Sequence, residues 1–466
     1  MPPLLLCVAE EYGIDLRSKS DAQVAEAIIN HELQKVLGYA PKRPVLNDDA
    51  VLNDDAVLKY SAPDFIEFQT PVLKNIFETI KNASFYLDAL GSPIMPKEIE
   101  KLKVQIGKSV YKLGMGGLHS TEKSIHHEAM DEIIIADNDV ESFYPRIILN
   151  QRLYPQHLGE AFLQVYEKIV NTRIAAKKAA ASCKKSGDKE GAYRNKVIAD
   201  SLKITINGSF GKLGNKYSTL YAPQLMLQVT ITGQLVLLML IEMLELAGIE
   251  VISGNTDGIV SKYHKSRHDE VRQINSMWES KTNFKTEETR YSQVCSRDVN
   301  TYIAVKLEGG EPEARFLDEK LGCKTKGAYS ERGSALNSIL SKNPETLIVM
   351  DAVLNKIVFD KPVEDTIKNC KDMRRFISIK NVKGGGVKDG QYLGKVVRWY
   401  YAKGEHGCIQ YASNGNKVGK TDGAKPLMIL PEEMPSDIDF SWYEKSAIDI
   451  LEECGYYKTS CTIPLF

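Results

Sequence analysis

The sequence predicts an α+β fold built on antiparallel sheet, from three features. Short apolar, β-prone runs broken by glycines fill residues 94–150 and return after residue 250. Between two such runs lies Gly254-Asn255-Thr256-Asp257-Gly258, a hairpin-turn signal that joins neighbouring strands head to tail. Long stretches of helical period separate and flank the strand regions. At 466 residues the chain is too long for a single core, so about three subdomains are expected.

In chain order, residues 1–40 read as helical, with Ser20-Asp21 as a capping pair before an apolar-periodic run. The six-residue unit VLNDDA then occurs twice, from Val45 and from Val51. Its aspartates do not have the spacing of a calcium loop, so an exposed acidic linker is expected. Residues 156–183 form a long helix, followed by a polar tip (183–195) and a second helix to about Phe210, together an antiparallel helical hairpin. Residues 222–247 form an apolar helix ended by Gly248. It contains Gln228, Thr230, Thr232, Gln234, Glu242 and Glu245, which points to a buried helix rather than a membrane span. Two strands with their turn occupy 250–263, more strands follow to Tyr329, and a mostly helical stretch with a Gly-rich interruption at Gly384–Gly386 completes the chain.

Hydrophobic residues at 43% suffice for a globular interior and exclude a disordered chain. The net charge of −1 gives no bulk sign of a polyanionic partner, but the charge is unevenly spread. From Glu167 to Lys216 twelve Lys/Arg face four Asp/Glu, a basic stripe on the predicted hairpin, and a second excess runs from Lys371 to Lys425. Such stripes are often only solvated helix faces, so the stripe needs a partner motif to mean more. The eight cysteines form no Cys-x-x-Cys pair, which argues against zinc, Fe–S or dithiol chemistry and suits a reducing cytoplasm. The N-terminal run lacks a basic leader, so neither a signal peptide nor a membrane is expected.

Two strings supply the chemistry. Asp139 and Asp257 each stand at the edge of a β-prone run, and each alone would pass for a turn residue. Together with a basic helix they suit phosphoryl transfer, which needs charge neutralisation and positioning more than covalent help. Mg²⁺ takes one or two carboxylates plus phosphate oxygens. Arg173 and Lys177 are spaced i,i+4, as are Lys203 and Asn207 with Gly211 one step further, so each set shares one helix face. Facing a common cleft, these faces would hold a triphosphate, with Arg173 able to bind bidentately.

At this point the chain resembles a family, the B-family DNA polymerases with palm, fingers and thumb. The family strings DxxSLYP, Kx3NSxYG and DTD are matched in order by Asp139-Val140-Glu141-Ser142-Phe143-Tyr144-Pro145, by Lys203 with Asn207-Gly208-Ser209-Phe210-Gly211, and by Asn255-Thr256-Asp257. Arg173 and Lys177 fall where the family's fingers carry Arg-x3-Lys, and Gly116-Gly117 resembles its Tyr-x-Gly-Gly element near the template. The flavour is that of bacteriophage members, and the resemblance spans roughly 105–330.

The resemblance implies a right-hand architecture with an antiparallel-sheet palm, helical-hairpin fingers and a mostly helical thumb. It assigns 1–100 to an N-terminal helical segment and acidic linker, 101–157 and 217–331 to palm, 158–216 to fingers, and 332–466 to thumb and C-terminal region. It implies template-directed addition of deoxynucleotides to a primer 3′-OH with two Mg²⁺ ions (Mn²⁺ as a substitute), in viral DNA replication within the host cytoplasm. Asp139, Asp257 and the Val140 carbonyl would ligate the metals. Ser142, Phe143, Tyr144, Arg173, Lys177, Lys203 and Asn207 would bind the nucleotide, with Tyr144 as a steric gate against a ribose 2′-OH. Gly116, Gly117, Tyr302, Lys324 and Lys326 would contact primer–template DNA, without reading its sequence.

Four departures stand out. Asn255 replaces the first Asp of DTD, and Gly208 and Phe210 replace Ser and Tyr. The family's Lys-Lys-Arg-Tyr is reduced to Val299-Asn300-Thr301-Tyr302. No exonuclease string is found in residues 1–100, so that activity is expected on a separate chain or an N-terminal fragment outside this sequence. Readings left open are an RNA-directed or protein-primed polymerase on the same palm, and a catalytically weakened palm protein that binds primer–template DNA or a replication partner.

Overall fold

A computed structural model describes residues 13–15, 19–44, 57–130, 132–307, 322–330 and 346–458. Both copies of the acidic repeat lie outside these residues. The elements used below are, in chain order, α1 (Asp21–Leu37), α2 (Pro71–Asn82), β1 (Val104–Ile106), β2 (Ser109–Gly114), β3 (Gly117–Ser120), β4 (Lys123–Glu128), β5 (Ile133–Val140), α3 (Phe143–Asn150), α4 (Glu160–Ser186), α5 (Lys189–Leu213) and α6 (Pro223–Leu246). They continue with β6 (Glu250–Asn255), β7 (Gly258–His264), α7 (His268–Thr282), β8 (Thr286–Asp298), β9 (Thr301–Lys306), β10 (Cys323–Thr325), α8 (Leu347–Phe359), α9 (Val363–Asn369), β11 (Ser378–Lys388), β12 (Gln391–Tyr401), β13 (Gln410–Tyr411), β14 (Ala424–Pro426) and α10 (Phe440–Glu453). The fold is mixed helix and antiparallel sheet, as the sequence predicts.

The chain divides into two compact units. The first holds Met1–Ser120, Asn138–Ile259 and His268–Glu287; the second holds Thr121–Asp137, Val260–Arg267 and Glu288–Phe466.

In the first unit, β1, β2, β3 and β6 pair antiparallel in that order, with Val104 opposite Tyr111, Lys112 opposite His119, and His119 opposite Asn255. Helix α6 packs against this sheet and against α3 and α7. It is long and apolar enough to cross a membrane, yet 89% of its most apolar stretch is buried inside the protein. Each Leu or Ile so buried contributes about 1.5–3 kcal/mol. Apart from Thr230, whose buried hydroxyl has no partner among the described residues, the polar residues that argued for burial find partners: Gln234 accepts from the Gly114 amide at 2.9 Å, and Thr232 bonds the Tyr60 hydroxyl at 3.0 Å. Glu242, 1% exposed, accepts from the amides of Gln69 and Thr70 and from the Thr70 hydroxyl, at 2.6–2.8 Å. Its carboxylate thereby serves donors at the N-terminus of α2.

Helices α4 and α5 form the expected hairpin, with a far shorter tip than the sequence suggests. Helix α4 runs on to Ser186, Gly187 ends it in the left-handed region (φ 80°), and Asp188 caps α5 by accepting from the Gly191 amide at 2.9 Å. Lysine-rich helix ends read as a loop because propensity alone does not mark where a turn falls. Against this hairpin lies α1, whose Ala25, Ile28, Ile29 and Leu33 are fully buried. The departure at Gly208 has its reason here: a β-carbon would lie 2.9 Å from both the Ala25 β-carbon and the Asp21 carbonyl oxygen. Glu32 on α1 accepts from Lys168 on α4 at 2.6 Å, and Glu26 pairs with Lys212 on α5 at 2.8 Å.

In the second unit, β4 and β9 flank β8, with Gln293 opposite both Glu128 and Val305, and β10 adds outside β9. The C-terminal part corrects the expectation of a mostly helical stretch. Helices α8, α9 and α10 share one core with a four-stranded antiparallel sheet ordered β13-β11-β12-β14. The glycines at 384–386 interrupt no helix; they lie within β11. Gly384 and Gly385 take positive φ (82° and 96°) at an irregularity of register, and a β-carbon on Gly386 would meet Val397 at 2.8 Å. Glycine-rich, lysine-rich sequence reads as a break, whereas here the cross-strand partners decide the conformation.

Candidate functional site

Asp139 is the penultimate residue of strand β5, and the hairpin β6–β7 turns through Thr256 and Asp257. The turn demands a left-handed residue, and Thr256 supplies it at φ 50°, an uncommon conformation for a β-branched side chain. It is held by two contacts: the Thr256 amide donates to the Leu118 carbonyl at 2.8 Å, and Gly117 lies against it. A β-carbon on Gly117, whose φ is 129°, would come within 2.9 Å of Thr256 Cγ2. Gly117 is thus needed to seat the turn, while a β-carbon on Gly116 would meet nothing within 4 Å.

The two acidic strings meet. The Val140 amide donates to the Asp257 carbonyl at 2.7 Å, and a β-carbon on Gly258 would fall 2.4 Å from Asp139 Oδ1. Both aspartates line one cavity of about 440 Å³. Ten of the residues singled out from sequence line it: Asp139, Val140, Ser142, Phe143, Tyr144, Arg173, Lys177, Lys203, Asn207 and Asp257.

Ser142, in the left-handed region at φ 51°, turns the chain from β5 into α3 and accepts from Arg173 Nη1 at 2.8 Å. Phe143 is buried with its ring 5.3 Å from that of Phe284. The Tyr144 ring lies tilted against that of Phe210, centroids 4.8 Å apart, over Gly233 of α6, where a β-carbon would sit 3.1 Å from its ring. Its hydroxyl is buried without a hydrogen-bond partner among the described residues. Burial first, and then the negative charge of Asp257, push this phenol's pKa well up, so it stays protonated. Lys177 pairs with both carboxylate oxygens of Glu287 at 2.6 Å, whereas Lys203 and Asn207 line the cavity from α5. Asn255 does not line the cavity; its side-chain oxygen accepts from the Thr256 hydroxyl at 3.1 Å.

Sequence reasoning missed Glu141, Pro145, Tyr166, Ile206, Phe210, Thr256 and Glu287 as cavity residues. Glu141 was visible inside its string, and Ile206 lies one residue before Asn207 on α5. Nothing in the spacing marks Glu287, which reaches the cavity only through the fold.

The other five residues lie elsewhere. Gly116 and Gly117 are at the β2–β3 turn. Tyr302, Lys324 and Lys326 belong to the second unit. There the Lys324 ammonium binds the buried Asp137 carboxylate at 2.8 Å, with the Tyr302 ring 5.9 Å away, and the Tyr291 hydroxyl donates to the same carboxylate. Burial, then the Asp137 charge, raise the pKa of Tyr291. The Lys326 amide donates to the Tyr302 carbonyl at 3.0 Å.

Among the described residues no group of three or more His, Cys, Asp or Glu is arranged to hold a metal. The cavity lining instead offers the carboxylates of Asp139 and Asp257 as hard-oxygen donors, with Glu141 and Glu287 also in it. That set fits Mg²⁺, which keeps waters and completes its shell with substrate phosphates rather than with an all-protein cage. It would not fit zinc, whose sites call for three or four protein ligands.

No family model matches the chain. A stretch of 83 residues, 18% of the chain, is 34% identical to the DNA polymerase alpha catalytic subunit of Mus musculus and, over the same length, 36% identical to that of Xenopus laevis. The match covers 6% of each of these relatives. Among solved structures, the family B DNA polymerase from the hyperthermophilic archaeon Pyrobaculum calidifontis aligns with the whole chain and with 54% of its own length, at 14% identity and a TM-score of 0.43. The chain therefore spans about half of that solved polymerase.

Proposed function

We propose that this chain is a template-directed DNA polymerase that adds deoxynucleotides to a primer 3′-OH by phosphoryl transfer. The observation that carries the reading is the meeting of Asp139 and Asp257 in one cavity that Arg173, Lys177 and Lys203 also line. The likeness of 83 residues to the catalytic subunit of DNA polymerase alpha supports it from sequence.

In this reading Asp139, Asp257 and the Val140 carbonyl hold two Mg²⁺ ions. Bound there, the ions would lower the charge on the triphosphate and favour both the attacking and departing oxygens. Arg173 and Lys203 bind the triphosphate, assisted by the amides at the start of α3 and by Lys177 once it exchanges Glu287 for phosphate. Asn207 lines the nucleotide pocket. Tyr144, fixed by Phe210 and Gly233, presents a rigid ring to the sugar and excludes a 2′-OH through packing. Gly116, Gly117, Tyr302, Lys324 and Lys326 are assigned to the primer–template duplex. For Lys324 this requires its ammonium to act beside Asp137.

The helices α4 and α5 would be the fingers, 101–157 and 217–331 the palm, and 332–466 the thumb with the C-terminal region. The setting would be bacteriophage DNA replication in the host cytoplasm, with proofreading supplied by a separate chain or an N-terminal fragment. A second reading, a weakened palm protein that binds primer–template DNA, is favoured by one observation: Asn255 stands where the family has an aspartate and does not line the cavity.

Primer extension with Mg²⁺, deoxynucleotides and a DNA template separates the two. Extension supports the polymerase; tight duplex binding without extension supports the binding protein. Rapid 3′→5′ degradation by the purified chain would contradict the assignment of proofreading elsewhere.

A further inference from the structure

Beyond the cavity of the two aspartates, the first unit holds a second concave site with a different chemistry. After α1 ends at Gly38, the chain passes along the 215–219 loop that follows α5. Between them lies a cavity of about 710 Å³ lined by Lys42, Arg43, Lys216, Tyr217, Thr219 and two prolines. Among the described residues no acidic side chain lines it. Among the described residues none of its three cations makes an ion pair. Tyr217 is 66% exposed, and the Lys216 ammonium lies 5.9 Å from its ring centre.

The loop is rigidly held. Glu26 accepts from the Ser218 hydroxyl at 2.7 Å and from the Thr219 amide at 2.8 Å, and its charge is matched by Lys212. Asn30 bonds the Thr219 hydroxyl and His157 bonds the Thr219 carbonyl, at 2.9 and 2.8 Å. The Glu26 carboxylate is thus neutralised behind the loop, and among the described residues the concavity is lined by positive charge with an exposed aromatic ring on it. A solvated lysine-rich helix face has neither the concavity nor the anchored ring.

We propose that this pocket binds single-stranded nucleic acid, with Lys42, Arg43 and Lys216 on successive phosphates and a base stacked on Tyr217. An aromatic platform beside a cationic groove is the arrangement that grips single strands without reading sequence. Only the identity of the strand, the unpaired template, rests on the polymerase reading; the binding does not.

The test uses the full chain and a fluorescent 16-nucleotide oligo-dT, read by anisotropy across a salt series. Lys42→Gln/Arg43→Gln/Lys216→Gln should reduce the salt slope by about 2, the loss of three single-strand phosphate contacts. Tyr217→Ala should weaken binding at fixed salt by about fivefold or more. Blunt duplex binding and extension across a one-nucleotide overhang should stay at wild-type level. Extension on a template with a long 5′ overhang should fall. Wild-type slope and affinity for oligo-dT in both variants would overturn the inference, and so would an equal loss for blunt duplex. Should the triple variant melt early, Tyr217→Ala alone decides. A wild-type chain that extends primers while its variants keep oligo-dT affinity loses this inference and keeps the polymerase reading. One that binds through the pocket without extending primers does the reverse.

Discussion

The amide of Val140 donates to the carbonyl of Asp257 across 2.7 Å, so the residue beside one candidate carboxylate is bonded to the backbone of the other. The end of β5 and the β6–β7 turn are therefore locked as one backbone unit, and the spacing of the two side chains is set by main chain rather than by rotamers. Rigid backbone is what a pair of acids needs if both are to address one substrate.

Asp257→Asn and Asp139→Asn should each abolish primer extension while leaving thermal stability near wild type. If these carboxylates hold the metals as proposed, removing one costs several kcal/mol of transition-state stabilisation, or about a thousandfold or more in rate. Rapid-quench extension with a parallel melting curve checks this. Activity within tenfold of wild type in either variant would remove that residue from the site.

Gly258→Ala places a methyl 2.4 Å from Asp139 Oδ1, so the aspartate or the strand must shift. A loss of about 1–3 kcal/mol in stability is expected together with loss of extension. Gly117→Ala should behave alike, because it combines a positive φ with a 2.9 Å approach to Thr256. Urea unfolding measures both; an unchanged midpoint with full activity would show that the turn tolerates the methyl.

Tyr144→Ala should admit ribonucleotides with little change in deoxynucleotide use. The ring is immobilised by Phe210 and Gly233 and owes nothing to a hydroxyl hydrogen bond. For the same reason Tyr144→Phe should keep its discrimination. Competition of ribo- against deoxynucleotide incorporation reads this, and unchanged selectivity in the alanine variant would end the steric-gate assignment.

Glu242→Ala should destabilise the protein by about 3 kcal/mol, since it strips a charged acceptor from the Gln69 and Thr70 amides and the Thr70 hydroxyl. The urea midpoint should drop with little change in slope. A drop below about 0.5 kcal/mol would mean that water takes over these donors.

Glu26 links stability to pH. Burial alone would raise its pKa, but hydrogen bonds from Lys212, Ser218 and the Thr219 amide outweigh this and hold the carboxyl below its ordinary value. A carboxyl depressed on folding stabilises the folded state above its unfolded pKa of about 4.3 and loses that contribution as pH falls through the folded value. The stability gap between wild type and Glu26→Gln should therefore be constant near neutrality and shrink below about pH 4.3. A gap that does not change with pH would show that the pairing with Lys212 carries no net charge effect.

Much of this was legible in the sequence. The α4–α5 hairpin, the buried α6 and the β6–β7 turn follow from period, polarity and turn residues, which act over a few neighbours along the chain. The strings around Asp139, Lys203 and Asp257, together with the Arg173/Lys177 pair, supplied ten cavity residues, because spacing fixes which side chains share a strand end or a helix face. The sheet β11–β14 was read as helix with a glycine break, since its glycines are strand residues only in the presence of Val397 and Ile409 across the ladder.

What the sequence by itself determined is local: which segments coil or extend, and which acids and bases stand at their ends. Only the tertiary structure decided that Glu287 joins the cavity through Lys177, that Lys324 is bound to Asp137, and that Gly208 makes room for α1. These are contacts between residues roughly 110 to 190 positions apart along the chain, and no periodic pattern encodes them. They arise when packed elements bring charges and backbones within a few ångströms, where burial and pairing fix their energies.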